Sequence, residues 1–262
     1  MFFPKKNKLI KAFNFKKDQQ GILNRYLREQ NVWNEHLENT KQHIINCTER
    51  CAKDTIIVLG SGWWLDVPVG KLCDIYDKVY LVDIVHSGQI IHNATKMPKV
   101  ELITTDITGN AAEVIYDVVE LHKKKKIKTL IEDIKFDAGN FGIAKHIEAS
   151  MVASVNILNQ LDILLLDYLK KKDIYTIDEL KHLRKKIQDA HIDALPKGKS
   201  CLITDHIELN KDTYTNEVIR TENLIYTTIP NDPEKEWVWQ FDNHQTYHED
   251  YNTHFKVGAY FF

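Results

Sequence analysis

The stretch from Thr55 to Gly62, Thr-Ile-Ile-Val-Leu-Gly-Ser-Gly, constrains this chain more than any other. Ile56 to Leu59 are apolar without alternation, which requires a strand covered on both faces, as in a parallel sheet. The run stops at Gly60 and Gly62, where a backbone without Cβ atoms can turn sharply and come close to a ligand. A second apolar strand, Lys78 to Asp83, follows and ends in an acid. Strand, glycine turn, strand and acid is the arrangement that holds a ribose at the edge of a doubly wound sheet.

The remaining pattern extends this sheet. Val100 to Thr105 reads as a third strand with Asp106 after it, so two successive strands carry an acid at the same edge. Ser150 to Leu158 reads as a fourth strand and Cys201 to His206 as a fifth. Trp237–Phe241 and Phe255–Tyr260 read as two closing strands, antiparallel because no helix separates them. Helices are expected from about Pro68 to Tyr76, Ala111 to His122, Leu161 to Leu169 and Thr176 to Ala194. The last carries a capping box, Thr176 with Glu179. Gly21 to Ala52 has helical periodicity and reads as two helices or one bent helix, with Trp33 and His36 able to share a face, read as core packing ahead of a lid on the ligand pocket. The basic, aromatic start, with Phe2, Phe3, Phe13 and Phe15, reads as a loose arm packing its rings on the domain. Residues 127–149, with Gly139, Asn140 and Gly142, read as an irregular insertion and the expected seat of substrate selectivity. Residues 210–233 are polar and ambiguous.

The expectation is an α/β fold: a doubly wound, mainly parallel seven-stranded sheet with a closing antiparallel hairpin, plus amino-terminal helices. Residues 1–52 form the arm and helices, a lid or packing extension, and 53–262 the sheet domain. A chain of 262 residues, 43% hydrophobic and with net charge −2, can bury a core of this size and has no global field drawing it to nucleic acid or membrane. No apolar run approaches the roughly 20 residues of a spanning helix, and the start lacks the regions of a signal peptide, so a cytoplasmic protein is expected. Cys47 and Cys51 share a helix face but read as thiols without a metal, and His244, His248 and His254 as a solvated loop; no metal is expected. Lys123 to Lys126 read as a solvated helix end.

Val58–Gly62, Leu81–Asp83, Thr105–Asp106 and Ser154–Leu161 together resemble the class I S-adenosylmethionine-dependent methyltransferases, over roughly Thr55 to Phe262. The resemblance implies S-adenosylmethionine as cofactor. Gly60, Ser61 and Gly62 would pass under its methionine end and ribose, and Asp83 would bind the ribose hydroxyls. Asp106 would accept from the adenine amino group, and Asn156 would sit near the sulfonium and the acceptor. The family's acid before the first glycine is Val58 here, and its third glycine is Trp64. Asp66 could replace the missing acid or cap the next helix, and Trp63 or Trp64 could stack on the ligand. His86, His206, Asp205 and Asn156 are candidate catalytic groups near strand ends. A small-molecule acceptor is expected; the absence of an Asn-Pro-Pro-Tyr type segment argues against nucleic acid. Two alternatives stand beside this one: a non-catalytic binding or scaffold protein with a degenerate site, and an NAD-dependent oxidoreductase. Leu65, at the third glycine of the dinucleotide fingerprint, counts against the oxidoreductase.

Overall fold

The computed structural model describes residues 3–139, 141–144 and 146–262, and the side chains of these from Asn7 onward. Phe2 and Asn140 lie outside the described residues, as does the side chain of Phe3. Seven helices of the described residues are α1 (Phe3–Ala12), α2 (Phe15–Thr48), α3 (Val69–Ile75), α4 (Gly88–Ala94), α5 (Ala111–Lys125), α6 (Ile163–Lys170) and α7 (Ile177–Ala194). The strands are β1 (Thr55–Leu59), β2 (Lys78–Asp83), β3 (Val100–Thr104), β4 (Met151–Val155), β5 (Ser200–Lys211), β6 (Val218–Asn223), β7 (Lys235–Asp242) and β8 (Asn252–Phe261).

They form one sheet in the order β3-β2-β1-β4-β5-β8-β7, with β6 paired to β5. The pairs from β3 to β5 are parallel, and β8 and β7 close the far edge antiparallel. The doubly wound sheet and its closing hairpin are as the sequence predicts. The eighth strand is an addition: β6 lies in the polar stretch without a clear pattern and pairs with Ile207–Lys211, the part of β5 beyond its pairing with β4. It is exposed along most of its length, which is why no apolar periodicity marks it.

Both faces of the sheet are covered, the condition that the unalternated run Ile56–Leu59 imposes. One face packs Ile57, Leu59 and Val152 against α5, α6 and α7. The other packs Ile56, Val58 and Ala153 against α2, α3 and the aromatic side chains of the closing hairpin. Pro68 takes the N-cap position of α3, so that helix begins at Val69. The capping box of Thr176 and Glu179 is formed at the start of α7. At the end of α5, Lys123 pairs with Glu120.

At the amino end one expectation is corrected, and of two helices or one the chain forms one. The start is not a loose arm: it is α1 and the first turns of α2, hinged at Asn14 with φ 57°. Phe13 is buried and meets the Tyr168 ring edge-on at 5.0 Å, anchoring the hinge on α6. The periodic segment after it is a single 34-residue helix, α2, whose carboxyl half lies along β7. There Trp33 stacks on Phe241 at 5.7 Å and its Nε1–H donates to the Phe241 carbonyl at 3.0 Å. The loop Asp242–His254 is likewise built rather than merely solvated. Buried Asp242 accepts from the Tyr247 amide and Thr246, while His244 and His248 contact Glu29 and Glu208.

Candidate functional site

The chain departs from β1 toward β2 and β3, then returns to place β4 on the other side of β1. The crevice opened at such a reversal, outside the carboxyl ends of the strands, is where doubly wound sheets bind ligands. A cleft of about 170 Å³, partly open to solvent, lies there. Its floor is the loop after β1 and the ends of β2, β3 and β4; its roof is the amino half of α2, with Phe15, Gln19 and Ile22.

The loop after β1 is held close to its neighbours. Gly60, at φ 77°, leaves no room for a side chain: a Cβ there would lie 2.9 Å from Ile157 Cβ and from the Val155 carbonyl. Gly62, at φ 46°, has nothing within 4 Å of a Cβ except the Gly60 carbonyl at 4.0 Å, so its bare face borders open space. Trp64 keeps φ 61°, the left-handed conformation that favours glycine, although it is a bulky residue. The missing third glycine thus changes the side chain, not the direction of the backbone. Trp63 lines the cleft and donates from Nε1 to the Gln19 carbonyl at 2.8 Å, while Trp64 packs toward the core on the α3 side.

Asp83 closes this loop. Its Oδ2 accepts from the Gly62 amide at 2.8 Å, and Oδ1 accepts from the Val85 amide at 3.3 Å and from Gln19 Nε2 at 2.8 Å. Burial pushes its pKa up, against those amide bonds, which favour the carboxylate. Asp106 also lines the cleft; its Oδ1 accepts from the Thr108 amide and hydroxyl, and burial raises its pKa too.

Asn156 follows β4 directly, with φ 48°. Its Nδ2 lies 2.7 Å from Asp66 Oδ2 and 3.2 Å from His36 Nε2. Asp66 therefore faces the cleft and does not cap α3, whose N-cap has no side-chain bond. Trp237 Nε1–H donates to His36 Nδ1 at 3.1 Å, and the His36 ring lies flat on Trp239, 3.8 Å between centroids. Burial pushes the His36 pKa down to about 3, so the ring is neutral. With Nδ1 accepting, Nε2 carries the proton and is a donor. An Asn156 amide turned over would accept it through oxygen, with a proton on Asp66, whose pKa burial raises.

Of the residues singled out from sequence, Gly60, Gly62, Asp66, Asp83, Asp106 and Asn156 line this one cleft. Ser61 is buried beneath it, its hydroxyl without a partner among the described residues. His86 contacts the Ile103 carbonyl, and His206 lies between Glu236 and the Tyr260 hydroxyl; neither lines the cleft. No described residue of 127–149 lines it either, because Ile131, Ile134, Phe141 and Ile143 pack into the core of the α5 face. Trp33 and His36, for which a lid is the second reading, line the cleft as well, whereas Gln19 comes from a segment whose sequence shows only helix periodicity. Their position over the cleft depends on how α2 docks. Away from the cleft, Cys47 meets His43 and Cys201 in the core, one ligand atom from each lying within 4.8 Å of the others.

Strand order, closing hairpin and cleft define a doubly wound, Rossmann-like α/β fold. No protein-family model and no curated protein matches the chain. Among solved structures it is similar to the N-methyltransferase NodS from Bradyrhizobium japonicum WM9, at 12% identity over 88% of this chain and 100% of that one, with TM-score 0.39. It is also similar to the 1,6-didemethyltoxoflavin-N1-methyltransferase of Burkholderia thailandensis, at 9% identity over 93% and 87%, TM-score 0.39. A third similar structure is the 23S rRNA methyltransferase ErmE, at 7% identity over 85% and 68%, TM-score 0.29. Likenesses this distant transfer no activity to the chain.

Proposed function

We propose that this chain binds S-adenosylmethionine in the cleft and transfers its methyl group to a small-molecule acceptor. The observation that carries the reading is the joint between Gly62 and Asp83, 2.8 Å from amide to carboxylate, at the point where the strand order reverses. The donor set fits a nucleoside bearing a charged tail. The bare face of Gly62 leaves space for the ligand, Asp83 supplies the acceptor for a ribose diol, and Asp106 supplies one for an exocyclic amine. Asp66 offers a carboxyl group toward an amino group of the methionine end, in the role the family's missing acid would fill. Bound there, the sulfonium supplies an activated methyl group and a neutral thioether leaving group. The protein's part is then to position, to orient and to keep water out. Trp63 and the Gln19 backbone tie the floor to the roof by one hydrogen bond, and Ile22, Leu161 and Leu164 give the cleft an apolar lining.

Titration calorimetry with S-adenosylmethionine, S-adenosylhomocysteine and NAD tests this. Binding of the first two and not of NAD is expected. Asp83→Asn should weaken both by roughly tenfold or more, the worth of a hydrogen bond to a charged group. Equal affinity in that variant would overturn the ribose assignment. The rival reading, a binding protein without turnover, draws on Gln19, whose amide already sits on Asp83. It predicts no binding of any of the three.

A further inference from the structure

A second chamber of about 370 Å³ adjoins the cleft, between the amino half of α2, the segment after β4 and the closing hairpin. The two share Asp18, Ile22, Gln160 and Leu164 as a common wall. Two buried polar side chains on the second chamber carry oxygens without partners among the described residues. Asp205, 1% exposed, meets Asn159 only through Oδ2, at a long 3.4 Å, and its Oδ1 is unpaired. Asn159, 6% exposed, leaves its Oδ1 unpaired as well. Buried oxygens of this kind cost free energy unless something donates to them. Arg25, which also lines the chamber, lies over the Phe241 and Tyr247 rings, at 4.5 and 5.3 Å, and its buried Nε–H has no partner among the described residues. Phe255 completes an aromatic wall.

We propose that this second chamber is the acceptor subsite and that it takes a small amine carrying an acidic group, with Asp205 and Asn159 receiving the ammonium and Arg25 the anion. This rests on the reading of the cleft as the S-adenosylmethionine site. The chemistry of the walls selects the class. Two acceptor oxygens without donors match an ammonium, a cationic guanidinium on the same chamber matches a carboxylate or phosphate, and the aromatic rings of its wall suit the hydrocarbon body. In the transfer, Asp205 Oδ1 takes one proton from the bound ammonium. The nitrogen lone pair so freed forms the bond to the methyl carbon, and the electron pair of the broken carbon–sulfur bond stays on sulfur. The proton on Asp205 leaves to solvent after the product.

The charge state gives the chamber a measurable signature. Burial pushes the Asp205 pKa up to about 8, with Asp66 adding to the rise and Asn159 opposing it. Lys17, Asp18 and Arg25 on α2 and Tyr247 on the hairpin are the other titratable groups lining the chamber. At pH 7 the carboxyl is mostly protonated, so an arriving ammonium expels a proton.

The probes are 4-(aminomethyl)benzoate, benzylamine and 4-methylbenzoate, titrated by calorimetry at pH 7 into protein saturated with S-adenosylhomocysteine, in two buffers of different ionisation enthalpy. The zwitterion is expected to bind at least fivefold tighter than either single-charge analogue and to release close to one proton. Asp205→Asn should abolish the proton release and Arg25→Gln should erase the preference for the zwitterion over benzylamine, with S-adenosylhomocysteine affinity unchanged in both. Equal binding of all three probes, no binding of the zwitterion, or proton release that survives in Asp205→Asn would overturn the proposal. If S-adenosylhomocysteine itself fails to bind, the cofactor reading falls; zwitterion binding lost in Asp205→Asn would then still mark the second chamber as an amine site.

Discussion

Asp83 shows how much one side chain is asked to do. Its carboxylate fastens the loop after β1 through Gly62 and fastens α2 through Gln19. A ribose diol reaching for Oδ1 has to displace the Gln19 amide, which also donates to the Val85 carbonyl at 2.9 Å. Gln19→Ala should therefore tighten S-adenosylhomocysteine binding by roughly tenfold, since the ligand no longer competes with a hydrogen bond to a charged group. A weaker affinity in calorimetry would mean that Gln19 itself touches the ligand. Gly60 is constrained in another way. Gly60→Ala puts a Cβ 2.9 Å from Ile157 and the Val155 carbonyl at φ 77°. The conformation alone costs about 1–2 kcal/mol, so thermal unfolding should start several degrees lower, at about 2–4 °C per kcal/mol for a chain of this size. Both glycines stand out in the sequence because they interrupt an apolar run. Gln19 does not, because nothing local distinguishes it from the other polar residues of a long helix.

Among the elements, α2 decides most. Its carboxyl half is fixed by Trp33 and His36 against Trp239 and Phe241 of β7, and its amino half roofs both chambers. The periodicity of Ile22, Tyr26, Trp33, Leu37 and Ile44 announces a helix with one apolar face. It does not reveal that the same face covers core at one end and a cleft at the other. Gly21 sits in the roofing half with nothing within 4 Å of an added Cβ. Gly21→Ala should stabilise the protein by about 0.5–1 kcal/mol through the lost freedom of the unfolded chain, raising Tm by roughly 2 °C. A fall in Tm would show that the helix bends at this point. β6 is the opposite case, an element that local pattern could not announce. It exists because β5 continues past β4 and leaves unpaired backbone for a returning strand to satisfy.

For the molecule as a unit, buried ionisable groups set a narrow pH range. Burial pushes His36 down to about 3 and His191 and His254 down to about 4. Unfolding exposes them to values near 6.5, so their share of stability is full above about pH 6.5 and is lost as pH falls toward 4. Burial also pushes Asp162 up to about 7 and Asp205 up to about 8. Their share is full below about pH 4 and is lost as pH rises through those values. Denaturant unfolding at pH 5, 6, 7 and 8 should show Asp205→Asn gaining on the parent protein as pH rises. A constant difference would place Asp205 in solvent. None of the described helices is long and apolar enough to cross a membrane. The sequence alone determined the parallel sheet, its antiparallel closure and the edge at which Gly60, Gly62, Asp83 and Asp106 gather, because alternation and glycine placement are local consequences of strand geometry. Tertiary structure alone decided that α2 roofs that edge, that Asp66 turns inward to Asn156, that His86 and His206 stand aside, and that Asp205 and Arg25 face a common chamber. Those outcomes depend on which distant surfaces bury one another, and hydrophobic burial has no direction that a sequence pattern could record.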